Sequence, residues 1–283
     1  MKIAVTSVTG QLGNAIANNL IAEISKENVI GIARTPEKAK NLGIEIRKGD
    51  YNSRELFNEA LKGVDALLLV SGNDAPENRI AQHRNVIEAA KQNGVKKIVY
   101  TSILGKESDT AFSPVVNSNR QTEEDVKTSG LEWVIGRNGI YIEPDLEYVE
   151  QYKKEGKIRN CAGERKCGYT SRPELGFAYA KMLIEDKHNH QVYNLAGNAI
   201  TQSELATVIN TVYGTDLSFQ NVTVEEYTQE RKEALGDFMG TIIAGIYQSM
   251  LQGAYEVTSD FEIAAGRPHQ SPLEMIKSIK NKA

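Results

Sequence analysis

The chain has 283 residues, of which 40% are hydrophobic and 25% are charged, and its formal net charge is −4. This composition is typical of a globular protein, and the lack of a long basic tract argues against a nucleic-acid partner. No apolar stretch has the length of a membrane span, and the first ten residues hold too short an apolar run for a signal peptide, so we expect a cytoplasmic protein.

The first half of the chain alternates strand-like with helix-like segments. We predict strands at 3–5, 29–33, 44–50, 66–70, 96–102 and 131–137. We predict helices from Gln11, over TPEKAKNLG, over SRELFNEALKG, and at 79–93 and 117–130. In the first helix apolar residues recur every four positions, which places them on one face. This alternation predicts a parallel sheet with helices on both faces.

Beyond about residue 140 the alternation is less regular. We expect strand-like pieces in 141–171, a helix over SRPELGFAYAKMLIED, a strand over QVYNLAG, a helix from Ser203, a strand over LSFQNVT, and helical material interrupted by Gly236, Gly240 and Gly245. We therefore predict a first domain over 1–140, to which segments around 141–200 return. Residues 141–283 are predicted to form mainly a second, smaller lobe.

The loop TSVTGQLG joins the first predicted strand to the first predicted helix. A helix that begins at Gln11 presents unpaired N–H groups and the positive end of its dipole, which together bind a diphosphate. Gly10 lets a phosphate approach the backbone, and Gly13 lets the helix lie close to the strand. Ser7 replaces the expected first glycine; it is strained only if its φ is positive, and its hydroxyl can bond a phosphate. We predict a dinucleotide-binding loop, with a plain strand–helix turn as the alternative.

Arg34 follows the second predicted strand, about 20 residues past the glycines, where NAD-binding proteins carry an acidic residue for the ribose 2′-hydroxyl. A guanidinium instead matches the charge and shape of a 2′-phosphate. The sequence therefore predicts NADP(H) as the cofactor. A surface arginine at a strand end is the alternative.

Asp50 and the segment Ser71, Gly72, Asn73 follow the third and fourth predicted strands. Ligands bind at the carboxyl ends of the strands in open parallel sheets. We therefore predict that Asp50 accepts a hydrogen bond from adenine and that residues 71–73 line the cofactor. Residues 71–73 are equally compatible with an ordinary strand end.

Several segments, in this order, resemble the NmrA-like branch of the atypical short-chain dehydrogenase/reductases: TSVTGQLG, ARTPEKAK, KGDYN, QHRNVIEAAKQNGVKKIVYTS, QTEEDVKTSG, RNGIY and VYNLAG. Within that branch they are most similar to bacterial type 2 NADPH:quinone oxidoreductases. The resemblance implies an α/β protein with a Rossmann-type doubly wound parallel sheet and a smaller C-terminal α/β substrate lobe. Where the family usually reads RNGWYSEN this chain has RNGIYIEP, which implies a different substrate pocket.

The resemblance also implies cofactor contacts. It places the diphosphate against Thr6, Thr9, Gly10, Gln11, Leu12 and Gly13, the 2′-phosphate at Arg34, and residues 71–73 along the cofactor. It implies that the residues beside the nicotinamide are Gly139, Ile140, Tyr141, Ile142 and Glu143, with Arg172 near the cofactor.

The predicted reaction follows from the absence of a catalytic tyrosine–lysine pair. Classical members of the superfamily use a Tyr-x-x-x-Lys pair, and Tyr100, Tyr141 and Tyr179 all lack a lysine four residues on. Reducing a carbonyl to an alcohol needs such an acid, because a bare alkoxide is very unstable. A quinone gives a much less basic phenolate. We therefore predict hydride transfer from NADPH to a quinone, catalysed by holding the two face to face.

Tyr141 and Asn138 are the candidate catalytic residues. We expect Tyr141 to line the pocket and to donate a proton, with a buried core tyrosine as the alternative. Asn138 can donate a hydrogen bond to a quinone oxygen, with an Asn-Gly turn as the alternative. His83 is expected to pack rather than to carry protons.

Two smaller sets of residues have less specific signals. Cys161 and Cys167 fit no common zinc spacing, so we predict no metal site. Tyr148, Tyr152 and Phe238 either cap the substrate pocket or simply pack.

Three other functions remain open. The chain can be a non-catalytic NADP(H)-binding sensor that reports redox state to a protein partner. It can also be a relative of the sugar-nucleotide or isoflavone-type reductases, or a structural interaction protein. We expect a small-molecule quinone as the partner, no nucleic acid, no membrane, and a monomer or homodimer.

Overall fold

The computed structural model describes residues 1–281 of the chain. In this part of the chain the strands are β1 (Ile3–Val5), β2 (Val29–Ala33), β3 (Glu45–Lys48), β4 (Ala66–Val70), β5 (Lys97–Ile103), β6 (Glu132–Asn138), β7 (Ile140–Tyr141), β8 (Lys157–Asn160), β9 (Cys167–Thr170), β10 (Gln191–Leu195), β11 (Ala199–Ile200) and β12 (Ser218–Asn221).

The α-helices are α1 (Gln11–Glu23), α2 (Arg54–Ala60), α3 (Pro76–Gln92), α4 (Ser113–Lys127), α5 (Glu143–Glu147), α6 (Val149–Glu155), α7 (Arg172–Ile184), α8 (Gln202–Tyr213), α9 (Val224–Leu235), α10 (Asp237–Leu251), α11 (Phe261–Ala265) and α12 (Pro272–Lys280). Short 3₁₀ helices occupy Lys26–Asn28, Pro36–Leu42 and Asp186–His188.

A seven-stranded sheet forms the centre of the molecule, in the order β3-β2-β1-β4-β5-β6-β10. All its neighbouring strands run parallel. One apolar core lies between the sheet and α1, α7 and α11, and a second lies between the opposite face and α2, α3 and α4. This arrangement confirms the predicted doubly wound fold. The strand order reverses between β1 and β4, which opens a crevice at their carboxyl ends.

The predicted elements of the first half are all found, with one change of type. The segment after β2 is a 3₁₀ helix rather than an α-helix, and it buries only Ala39. Pro36 stands in its first turn and Gly43 ends it with a φ of 65°. A segment this short, which buries so little, does not gain enough packing to propagate an α-helix.

Two smaller sheets lie apart from the central one, a three-stranded sheet, β11-β9-β7, and a two-stranded sheet, β12-β8, and we call this region the second lobe. Its own apolar core includes Ile142, Ile158, Tyr169, Leu205 and Met275. The prediction of strand-like pieces over 141–171 is right for β7, β8 and β9 but misses the short helices α5 and α6. Both helices bury few apolar side chains, so no helical periodicity marks them.

The glycines of the last helical region do not all interrupt it. Only Gly236 separates α9 from α10, whereas Gly240 and Gly245 lie within α10. A Cβ atom on Gly240 would lie 2.5 Å from the backbone of Lys232, and one on Gly245 would lie 2.5 Å from the backbone nitrogen of Phe112. These two glycines therefore serve close packing of the helix against its neighbours.

None of the helices in the described part of the chain combines the length and apolarity that crossing a bilayer requires. Residues 1–281 contain no group of three or more His, Cys, Asp or Glu side chains placed to hold a metal ion. Cys161 and Cys167 are both buried free thiols.

Candidate active site

The loops after β1, β4, β5 and β6 lie side by side at the carboxyl edge of the sheet. The Thr6 hydroxyl accepts a hydrogen bond from the Val70 backbone N–H at 2.9 Å. The Ser71 N–H donates to the Thr101 hydroxyl at 2.9 Å, and Ile103 pairs with Asn138 across the next two strands. The predicted diphosphate loop, residues 71–73 and residues 138–143 therefore border one crevice.

The first turn of α1 has the features of an anion-binding helix N-terminus. Gly10 is its N-cap, no side chain caps its N–H groups, and its first turn carries no acidic residue. The better-capped helices α2, α7, α8, α9 and α12 begin after the hydroxyl residues Ser53, Ser171, Thr201, Thr223 and Ser271. The Gly10 N–H donates to the Ser7 carbonyl at 2.8 Å. The N–H groups of the first turn, which begin at the exposed residue Gln11, have no intrahelical partner, so they fit a diphosphate.

Ser7 adopts the strained conformation. Its φ is 51°, in the left-handed region that costs a non-glycine residue about 1–2 kcal/mol. Its hydroxyl donates to the phenol oxygen of Tyr51 at 3.1 Å, so it bonds within the protein instead of facing a phosphate. This contact holds the serine in the position that the family gives to glycine.

Gly13 is required because α1 begins directly over the Ser7 carbonyl. A Cβ atom on Gly13 would lie 2.4 Å from that oxygen, and one on Gly10 would lie 3.2 Å from it. Gly10 has a φ of −82°, so its small size matters here and its conformational freedom does not. The predicted close packing of the helix at Gly13 agrees with this geometry, and the approach of a phosphate to Gly10 stays a prediction.

Tyr51 braces the loop from below, a role that the sequence analysis missed. Its hydroxyl donates to the Val70 carbonyl at 2.6 Å and lies 2.7 Å from the Thr6 hydroxyl. Its ring stacks on Phe57. Burial raises the pKa of Tyr51 to about 12, although bonds from Ser7 and Thr6 oppose that rise. Since the Thr6 N–H also bonds to Leu68, Thr6 supports the loop from behind, and its contact with a diphosphate stays a prediction.

Arg34 and Asp50 lie on the β2–β3 side of the crevice. Arg34 is exposed immediately after β2, where a guanidinium can reach a ligand. Asp50 accepts a hydrogen bond from the Asn52 N–H at 3.0 Å, in a turn that leads into α2. The structure therefore gives Asp50 a turn-forming role, and its bond to adenine stays a prediction.

Residues 71–73 are fixed by a neutral histidine. The Gly72 N–H donates to His83 Nε2 at 3.0 Å, and His83 Nδ1 lies 2.9 Å from the Thr122 hydroxyl. Nε2 therefore carries the lone pair and Nδ1 the hydrogen. Burial, reinforced by the charge of Arg79, lowers the pKa of His83 to about 3. His83 acts as a structural brace, in agreement with the expectation that it packs.

Asn138 and Tyr141 meet at the end of β6. The Asn138 amide donates to the Tyr141 hydroxyl oxygen at 3.0 Å, and its carbonyl oxygen accepts from Tyr179 at 2.7 Å. A Cβ atom on Gly139 would lie 2.6 Å from the Gly168 carbonyl, so the Asn-Gly pair also serves close packing. The Tyr141 oxygen only accepts in this pair, and its own hydrogen has no acceptor among the described residues.

Arg172 covers Tyr141 at the other side of the crevice. Its guanidinium carbon lies 5.4 Å from the centre of the Tyr141 ring. The backbone N–H of Arg172 donates to the Glu143 carboxylate at 2.7 Å, and the Arg172 guanidinium lies 3.9 Å from that carboxylate. Burial raises the pKa of Tyr141 to about 12, so the phenol keeps its hydrogen at neutral pH. Ile140 is half-buried beside it, and Ile142 is buried in the second lobe's core.

A buried carboxylate supports this edge from the α4 side. Glu123 is 1% exposed. It accepts hydrogen bonds from Arg137, Arg120 and the Ser102 hydroxyl at 2.6–2.9 Å. The sequence analysis missed it, because it lies in the charged run TEED. Its spacing from the buried residues Asn119 and Val126 on α4 is the helical signal that could have found it.

Comparisons with known proteins agree with this geometry. A family model described as NAD(P)H-binding matches residues 8–166. The chain is 31% identical to quinone oxidoreductase 2 of Escherichia coli strain K12, with 99% of each chain covered.

Two solved structures are similar over nearly the whole chain. One is an NADPH-dependent quinone oxidoreductase of Escherichia coli in complex with NADPH, with a TM-score of 0.91, 30% identity, and 99% of this chain and 100% of that chain covered. The other is a Citrobacter triphenylmethane reductase in complex with NADP(H), with a TM-score of 0.91, 32% identity, and 98% and 99% covered.

Proposed function

Because the chain belongs to the NAD(P)H-binding family, as an oxidoreductase of the NmrA-like branch, we propose that it transfers a hydride from NADPH to a quinone. The observation that carries the cofactor is the uncapped, acid-free first turn of α1 at the reversal point of the sheet. The quinone is proposed from the similar reductases and from the groups that border the crevice.

In this proposal the loop after β1 binds the diphosphate of the cofactor and Arg34 binds its 2′-phosphate. The α1 N–H groups bind the diphosphate, and the guanidinium of Arg34 binds the 2′-phosphate. Gly13 lets α1 begin directly over Ser7, and Tyr51 fixes that loop against β4. The fit is good because the donors are already in place before the ligand arrives.

Tyr141 is the residue that faces the quinone oxygen in this proposal. NADPH, when bound, supplies the hydride, which adds two electrons and one hydrogen to the quinone and leaves a hydroquinone monoanion that one proton neutralises. The Asn138 amide holds the Tyr141 oxygen, so the phenol hydrogen is free to point to a ligand. Since burial keeps this phenol protonated, Tyr141 can hydrogen-bond the developing anion.

Turnover separates this function from the sensor. Oxidation of NADPH is followed at 340 nm with a panel of small benzoquinones and naphthoquinones. We expect quinone-dependent turnover. Tight NADPH binding without turnover on any quinone would contradict the proposal and favour a non-catalytic sensor.

Replacement of Arg34 tests the cofactor contact. For Arg34→Ala we expect NADPH binding to weaken by about 10- to 100-fold, since a charge-assisted bond contributes about 1.5–3 kcal/mol, while NADH binding is nearly unchanged. Fluorescence titration of both nucleotides measures this. Arg165→Ala, at an exposed position of the second lobe, is the control. Equal losses for NADPH and NADH would refute the contact.

A further inference from the structure

Arg79 is a buried cation without an acidic partner. It lies in the first turns of α3, behind residues 71–73, and is 5% exposed. No carboxylate of residues 1–281 is within ion-pair distance of it, and its Nε atom has no hydrogen-bond partner there. A guanidinium stays charged in proteins, and its burial is costly without a compensating charge.

The other arginines near the crevice have acidic partners. Arg120 and Arg137 share Glu123, and Arg172 lies beside Glu143. Arg79 instead donates from Nη2 to the Ser71 hydroxyl oxygen at 2.5 Å. This bond is charge-assisted, so it polarises the Ser71 hydroxyl and strengthens it as a donor.

Ser71 can turn its hydrogen toward a ligand at little cost. It donates to the Asn119 side-chain oxygen at 3.1 Å, but that oxygen also accepts from Tyr100 at 2.7 Å. If Ser71 turned its hydrogen away, Asn119 would keep the shorter bond. Ser71 is half-buried and ends β4 at the edge where ligands of such sheets bind.

The position of Ser71 indicates which anionic oxygen it meets. β4 lies between β1, which leads to the α1 donors, and β5 and β6, which lead to Asn138 and Tyr141. The α1 N–H groups already serve the diphosphate. The Ser71 hydroxyl contacts Tyr100 on β5 and Asn119 on α4, so it lies on the β5 side of β4, away from β1 and toward the strands that lead to Asn138 and Tyr141.

We propose that Ser71 donates a hydrogen bond to the anionic oxygen of the reduced quinone and that Arg79 is the positioning residue that holds and polarises Ser71. The inference rests on the proposed quinone reduction. No proton leaves Arg79: its fixed charge balances the hydroquinone monoanion until water protonates it. A cation on α3 thus supplies the charge that a Tyr-x-x-x-Lys pair provides elsewhere.

The test uses Arg79→Gln, Arg79→Lys, Ser71→Ala and the double variant of Arg79→Gln with Ser71→Ala. Each is assayed with NADPH and a series of substituted 1,4-benzoquinones whose hydroquinones differ in acidity. NADPH affinity is titrated separately. Arg84→Gln is the matched control, because Arg84 lies on the same helix but is 54% exposed and pairs with Asp125.

We expect Arg79→Gln to lower kcat by about 10- to 100-fold, with KM and NADPH affinity changed less than about threefold. This loss is smaller than the roughly 100- to 1000-fold that follows removal of an oxyanion donor itself, because Arg79 acts through Ser71. The loss should grow as the hydroquinone becomes less acidic, because a more basic anion depends more on the charge. Ser71→Ala should show the same trend, the double variant should lose no more, and Arg79→Lys should recover part of the rate.

Three results would overturn the inference. The first is a rate loss equal for all quinones, which indicates a structural role. The second is a loss confined to NADPH affinity, which assigns Arg79 to the diphosphate. The third is a wild-type protein that turns over no quinone. That result contradicts the proposed function as well, and it differs from the first two because the wild type itself is inactive. If Arg79→Gln does not fold, Ser71→Ala decides by its dependence on hydroquinone acidity.

Discussion

The edge of the central sheet and the second lobe each bury a carboxyl group, but one has charged partners and the other has only neutral ones. Glu123, beside the sheet, is 1% exposed, and Asp145, on α5, is 4% exposed. Glu123 receives hydrogen bonds from two guanidinium groups and a hydroxyl. Asp145 has the Tyr152 phenol at 2.9 Å and the Tyr247 phenol at 3.5 Å, and no ion pair within residues 1–281.

The pKa of each group follows from its partners. Burial alone raises the pKa of both carboxyls. At Glu123 the bonds from Arg137 and Ser102 and the charge of Arg120 outweigh burial, so the pKa is lowered overall. At Asp145 burial outweighs the two phenols and raises the pKa from 3.8 to about 6. Two well-buried carboxyl groups thus have opposite pKa shifts, because only charged partners compensate for lost hydration.

Removal of the Glu123 carboxylate should have the largest effect. Glu123→Leu leaves the guanidinium groups of Arg120 and Arg137 without their shared acid, and we expect a loss of about 3–5 kcal/mol in the free energy of unfolding. Urea titration at pH 7.5 measures it. Glu124→Leu, at a neighbouring position whose side chain is 62% exposed, should lose less than about 1 kcal/mol. Similar losses of unfolding free energy at both positions would show that the guanidinium partners of Glu123 do not make its removal more costly than that of an exposed carboxylate.

Removal of the Asp145 charge should have the opposite sign. Below pH 3.8 both the folded and the unfolded state bind the proton. Between pH 3.8 and about 6 only the folded state keeps it, so stability falls across this window and stays lowered above it. A rise of this size corresponds to about 3 kcal/mol. Asp145→Asn should abolish that fall and be more stable than wild type at pH 7.5 by up to about that amount.

Urea titrations of both proteins from pH 4 to 8 test this prediction. Asp237→Asn is the control, because the Asp237 side chain is 95% exposed and its loss should leave the pH profile unchanged. If wild type and Asp145→Asn kept a constant difference across pH 4 to 8, the raised pKa of Asp145 would be wrong.

The same contrast explains how far the sequence could predict the fold. In the first half, β2, β4, β5 and β6 span five to seven residues and the helix after the glycine loop is strongly periodic, so alternation predicts them. Every strand pair there except β1–β4 joins consecutive strands. The second lobe uses strands of two to four residues, such as β7 and β11, that pair with distant segments. Its helices α5 and α6 carry no apolar period, so local patterns do not reveal them.

The site divides in a similar way. Gly10, Gly13 and Arg34 have recognisable positions relative to predicted strands, and the structure places them at one edge. Tyr51 and Arg79 were missed, because their roles depend on partners from other strands. A polar residue in a polar run predicts a solvated helix face, and only the tertiary fold shows that it is buried.

The smallest predicted effect concerns the two tyrosines, Tyr152 and Tyr247, whose hydroxyl groups contact Asp145. Tyr152→Phe removes a 2.9 Å donor to a carboxylate, a bond that contributes about 1.5–3 kcal/mol when the acceptor is charged. We expect that loss in urea titrations at pH 7.5 and a smaller one at pH 5, where Asp145 is mostly protonated. Tyr247→Phe should cost less, because its 3.5 Å contact is long for a hydrogen bond. In the Asp145→Asn background the Tyr152→Phe loss should shrink, since the coupling belongs to the charged pair. If Tyr152→Phe lowered the free energy of unfolding by the same amount at every pH and in both backgrounds, Tyr152 would contribute packing alone. Its hydrogen bond would then not stabilise the Asp145 carboxylate.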